Sequence, residues 1–266
     1  MKLFFPSKGL LFGLLFASVA AAAGAADASR KSPDFLVDSF VELTLKNSYS
    51  TRQNPVRKWI TPVRYFIVHQ VGDEELHREL VDAHFRHLAA ITGLDIQPAA
   101  SRAAANFQVV LTSEDRLESE LPRHFGSGLA RQNEMLFRHS LCVASFATER
   151  RGGIVRAMAM IPVDAARARA DLASCVVEEL THAMGIGNDT LQPLPSIFSR
   201  QSKLAFLSGL DYLVLKMLYD PRIKPGMSEK SARPVLKAIA AEFERDGLFA
   251  VADRDAAENG LARLMP

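Results

Sequence analysis

The stretch from Cys175 to Asp189, Cys-Val-Val-Glu-Glu-Leu-Thr-His-Ala-Met-Gly-Ile-Gly-Asn-Asp, constrains the fold more than any other part of the chain. Placed on a helix at about 100° per residue, Val176, Val177, Leu180, Ala183 and Met184 fall on one side. Glu178 and His182 fall almost opposite, one turn apart, with Glu179 and Thr181 flanking them. Gly185 is placed to stop the helix in a left-handed conformation. The apolar side needs a core, and the polar side can point Glu178 and His182 together into a cleft.

The remaining pattern says what that core is made of. Val63 to Val68 is β-branched and aromatic and reads as a buried strand. Asp73 is placed to cap a helix that starts at Glu74, turns Leu76, Leu80, Ala83, His87, Leu88 and Ile91 inward and ends at Gly93. His77 and His84 share the other, solvated face. Asp95 to Gln97 reads as a short strand and Phe107 to Leu111 as a clearer one. Ser113 to Phe137 is polar and helix-prone. Leu141 to Ala147 and Ile154 to Ile161 form a hairpin about the turn Arg150-Arg151-Gly152-Gly153. One helix is expected from Ala165 to Met184, and an amphipathic helix over residues 231–246. Trp59 is a packing anchor, and His69, at a strand end, is read as structural. His124 and His139 carry no spacing signal, and Ser174 and Ser196 have no His/Asp partners that would suggest a serine hydrolase. The expected class is α+β, a mixed twisted sheet with packed helices. Residues 27–59 form a lead segment, 60–228 the main domain and 229–266 a helical extension.

Lys2 and Lys8 precede an apolar run from Leu10 to Ala23 and a series of small residues. Ala23-Gly24-Ala25 and Ala26-Asp27-Ala28 both fit a cleavage site, so residues 1–26 read as a secretory signal peptide. The protein is therefore expected in the periplasm or the medium, with no stable membrane span after cleavage. Without Lys2 and Lys8, 30 basic residues face 30 acidic ones. That balance argues against a nucleic-acid partner, which would call for a basic stripe. In an oxidising compartment the pair Cys142 and Cys175 favours a disulfide, worth about 3–4 kcal/mol in the chain-entropy model; two buried thiols are the alternative.

The stretch from Glu178 onward resembles the active-site helix of the metzincin zinc peptidases, most closely the matrixin branch with its pattern H-E-x-x-H-x-x-G-x-x-H. On that pattern the first His falls on Glu178, the general base on Glu179, the second His on His182, the Gly on Gly185 and the third His on Asn188, with Asp189 one step later. Ser196-Ile197-Phe198 sits where a methionine turn would be, with Phe198 in place of Met. Ser208 and Asp211 then form a capping-box pattern ahead of Leu218-Tyr219-Asp220. The chain resembles more closely a bacterial family of unknown function, number 2927. The shared hallmarks are Glu178-Glu179-Leu180-Thr181, Gly185 to Asp189, Ser196-Ile197-Phe198, Leu218-Tyr219-Asp220-Pro221 and Pro225-Gly226-Met227. Cys142 and Cys175 also fit it. Where that family carries Gln after the Thr, this chain has His182.

The resemblance implies a zincin-like fold with a degenerate active-site helix, exported to the envelope, and three readings of the helix follow. Glu178 and His182 are a surface pair worth a few tenths of a kcal/mol, with Asn188 and Asp189 as turn formers. Alternatively the cleft persists and binds an envelope peptide or glycan without cutting it. In the third reading zinc is held by Glu178, His182 and Asn188 or Asp189, and Glu179 is the base of a hydrolase. Zinc is the only cofactor the pattern suggests.

Overall fold

A computed structural model of the chain describes residues 32–47, 53–125 and 141–264. The signal-peptide segment, His124, His139 and the end of the helix-prone stretch before Phe137 lie outside the residues whose side chains are described.

Six strands form one mixed sheet: β1 (Lys58–Trp59), β2 (Val63–His69), β3 (Ile96–Pro98), β4 (Phe107–Thr112), β5 (Val143–Thr148) and β6 (Gly153–Pro162). The order is β1-β6-β4-β2-β3 with all neighbours parallel, and β5 pairs antiparallel with β6. Ile67 stands beside Val109, and Val109 beside Ala159, so the register aligns apolar rows. Val109, Val110, Leu111, Ala159, Met160 and Ile161 are all buried, which is why β4 and β6 lack polar alternation: helices cover both faces. The hairpin β5–β6 is present as the pattern predicted, closed by Glu149 N to the Gly153 carbonyl at 2.9 Å.

The helices are α1 (Pro33–Phe40, continuing as a π-helical turn Val41–Leu45), α2 (Glu74–Thr92), α3 (Glu114–Phe125), α4 (Val163–Ala168), α5 (Leu172–His182), α6 (Gly209–Tyr219), α7 (Glu229–Arg245) and α8 (Leu248–Glu258). Leu36 and Phe40 of α1 and Leu236 and Ile239 of α7 belong to the same core as β2, β4 and α5. Among the described residues no helix is long and apolar enough to cross a membrane.

Four expectations need correction. Leu76, expected to turn inward on α2, is 42 % exposed. The helix expected over Ala165–Met184 is two helices, α4 and α5, broken at Arg169-Ala170-Asp171, where Ala170 takes φ +61. Nothing in that Arg/Ala-rich run disfavours a helix, so the break comes from docking the two helices separately. His77 and His84 are not on a solvated face; they are 1 % and 0 % exposed. Both lie with Leu80, Val81, Leu88 and Ile91 on the face that α5, α6 and the last 3-10 turn cover, while Glu75, Arg78, Glu79 and Arg86 stay exposed on the other. Asp73 precedes α2 but makes no side-chain cap; its carboxylate pairs with Arg167 at 2.5 Å.

Two devices hold α5 at its C-terminal end. The orphan carbonyls of its last turn need donors. Trp59 Nε1 donates to Ala183 O at 2.9 Å, and Tyr219 Oη donates to Met184 O at 2.8 Å. Gly185 follows at φ +110, where any Cβ would stand 2.0 Å from the Arg57 carbonyl oxygen. The capping box of α6 is present as the sequence predicts, with Ser208 and Asp211 exchanging side-chain and backbone bonds. Asp211 also accepts from Ser196 Oγ at 2.5 Å and from Ile197 N at 3.2 Å, fixing the turn that leads to Phe198.

Candidate metal site and its cleft

α5 carries its apolar side, Val176, Val177 and Leu180, into the core. Its polar side brings Glu178 and His182 together as the i, i+4 spacing predicts, with His182 Nε2 4.0 Å from Glu178 Oε1. The third member is Asp189, whose Oδ1 lies 3.0 Å from the same Nε2. One ligand atom each from Glu178, His182 and Asp189 lies within 4.8 Å of the others, the only such group of three among the described residues. Ligands about 2.0–2.2 Å from a tetrahedral zinc ion stand roughly 3.3 Å apart, so separations of 3.0 and 4.0 Å need little adjustment to admit one.

The orientation of the ring favours the same use. His182 Nδ1 lies 2.5 Å from the Ile186 carbonyl, which can only accept, so Nδ1 carries the hydrogen and Nε2 faces the carboxylates. Metal-binding histidines are commonly oriented by such a bond from the other ring nitrogen. The ring also rests 4.5 Å, centroid to centroid, from Phe198.

Asn188 and Asp189 go separate ways. Asn188 is 3 % exposed, and its Nδ2 donates to the Glu42 carbonyl at 2.8 Å while its N donates to Leu43 O at 3.2 Å. Thr190 Oγ1 donates to Glu42 Oε1 at 2.5 Å. Asp189 is therefore clamped on both sides by the end of the N-terminal helical segment, and it is the residue directed at His182. The segment before the main domain thus helps to build the site. Sequence reading missed Glu42, because no local pattern links residues 146 positions apart.

Charge is concentrated here. Burial would push His182 down, but Asp189, then Glu179 and Glu178, outweigh it and lift the imidazole to about 10. Burial would raise Asp189, yet His182, helped by Arg200, holds it below the usual range. Glu178 is raised by burial, with Asp189 and Asp171 adding to it against His182. Glu179, 5 % exposed, is driven well above the carboxylate range, first by burial and then by Glu178. It makes no hydrogen bond to the described residues, and it lines a cleft of about 570 Å³ together with Glu178, Asp189, Asp171 and Phe198. Cys142 and Cys175 also line it; they form a disulfide with Cα atoms 5.8 Å apart that ties the start of β5 to α5.

Fold and site together describe an α+β protein whose central helix presents a Glu/His/Asp group, able to hold a divalent cation, to an adjoining cleft. The chain belongs to the family described as protein of unknown function DUF2927, whose model matches residues 33–238 and so includes both the Glu42 clamp and the cleft. Neither the curated proteins nor the solved structures contain a match.

Proposed function

We propose that this is an exported, matrixin-like envelope protein, an altered relative of the zinc peptidases, that binds zinc through Glu178, His182 and Asp189. The observation that carries the reading is the convergence of those three ligand atoms within 4.8 Å beside the cleft. Asp189 stands in for the third histidine of the matrixin pattern and Glu178 for the first, so the donor set is richer in oxygen and remains acceptable for zinc. A cation there would supply Lewis acidity and would offset the mutual repulsion of the carboxylates. Purified without chelators, the full chain should hold close to one zinc, and His182→Ala should release it. Metal analysis that finds none, with no uptake on zinc titration, would sink the reading.

Binding of an envelope peptide or glycan in the cleft without turnover is the companion expectation. Hydrolysis is the second reading, and Glu179 favours it. A carboxyl that lines the cleft and makes no hydrogen bond to the described residues can take and give a proton at its own oxygens. The two separate in Glu179→Gln, which should keep zinc in either case. Loss of peptide cleavage in that variant supports hydrolysis; a wild-type protein that binds peptides but cleaves none restricts the cleft to binding.

A further inference from the structure

The chain carries two consecutive cations, Arg57 and Lys58, towards its interior and treats them differently. Lys58 is 6 % exposed, and its Nζ donates to the carbonyls of Leu218, Asp220 and Ile223 at 2.7, 3.2 and 3.0 Å. Three donors meet three acceptors, and its role is to close the end of α6. Arg57 is partly buried and has no hydrogen bond or ion pair with the described residues, and its Nε is shielded from water without a partner among them. Its guanidinium carbon lies 4.9 Å from the ring centroid of Phe146.

The surroundings keep space for this group. A Cβ on Gly187 would stand 2.7 Å from Arg57 Nη2, so the glycine leaves the guanidinium its place. Gly187 is two residues from Asp189, which puts Nη2 within about 11 Å of the Asp189 Cα, since the chain spans at most about 3.6 Å per residue. Phe146 lies on β5, the strand whose disulfide end borders the cleft. A guanidinium drawn partly out of water is ordinarily matched by an anion, and its planar fork suits carboxylate and phosphate.

We propose that Arg57, backed by Phe146 and given room by Gly187, is an oxyanion subsite that binds the carboxylate or phosphate group of a ligand extending from the cleft along β5. The subsite goes beyond the metal reading and does not depend on it, so it is tested on full-length protein stripped of metal with a chelator. Inorganic phosphate and acetate are titrated at constant ionic strength, with chloride as control. Melting temperature and the Nε–H resonance of Arg57 are followed, the latter assigned by its absence in Arg57→Lys.

Phosphate or acetate should shift that resonance saturably and raise the melting temperature, and whichever binds tighter identifies the group the ligand carries. Arg57→Gln should remove both effects and, having lost the contact with Phe146 and a cation with no anionic partner among the described residues, should melt close to the parent. Arg57→Lys, which keeps charge without the fork, should bind at least tenfold more weakly. The proposal is overturned if chloride reproduces the effect, if Arg57→Gln responds like the parent, or if that variant melts well below it, which would mark a structural residue.

Discussion

Two adjacent positions of α5, Thr181 and His182, lead to two shielded histidines whose protons behave in opposite ways. Thr181 Oγ1 meets His84 Nε2 of α2 at 2.9 Å, and His84 has no carboxylate beside it. Burial, with His87 nearby, pushes His84 down to about 3, and burial alone takes His87 to about 4. On the other side Asp189, Glu179 and Glu178 lift His182 to about 10. Desolvation acts on both rings, and the charged neighbours decide the sign. One side of the helix is thus a neutral core contact. The other is a charged cluster whose members are shifted away from their ordinary values, which is the usual mark of a site.

The contrast can be broken most directly on the apolar side. Leu180 is 0 % exposed, and Leu180→Ala should cost about 2–5 kcal/mol in urea unfolding. A loss below about 1 kcal/mol would mean that the side opposite the site is not core. Reduction of Cys142–Cys175 releases a link across 33 positions and should cost about 3–4 kcal/mol, read as a lower denaturation midpoint in reductant.

Acid sharpens the comparison. His84 and His87 have folded values below the ordinary ~6.5, so the unfolded chain binds more protons. Stability is full above about pH 6.5 and falls as pH drops towards 4, by up to about 1.4 kcal/mol per pH unit for each histidine. His182 has the reverse sign: its contribution is present below its unfolded value and is lost as pH rises towards 10. Melts across this range, in chelator-treated protein, should show the alkaline loss flattened in His182→Gln and the acid loss unchanged. Glu179→Gln removes a buried carboxyl held well above the carboxylate range, so it should raise stability, with a gain that is absent in acid and grows as pH rises above the ordinary carboxylate value.

Much of this could be read from the chain before its structure was known. The strands β2, β4 and β6, the hairpin and the capping box of α6 follow from local periodicity and from residue types that act on near neighbours. So does the pairing of Glu178 with His182, because four residues are one helical turn. The break at Ala170 was not legible: it runs against propensity and reflects how α4 and α5 dock. Nor was the burial of His77 and His84, because the apolar pattern placed the inner face on the side of Leu76, whereas packing against α5 and α6 centres it on His77, His84 and Leu88 and leaves Leu76 exposed.

The candidate site divides the same way. The sequence by itself determined the helix, its two faces, its stop at Gly185 and the choice of Glu178, Glu179 and His182, all within reach of one another along a few turns. It left the third ligand between Asn188 and Asp189. Only the tertiary structure decided for Asp189, because Glu42 and Leu43, far away in the chain, take the side chains and backbone on either side of it. Arg57, whose Nε has no partner among the described residues, belongs to the same class. Whether a cation has a partner depends on what the fold brings to it, and no spacing in the sequence records that.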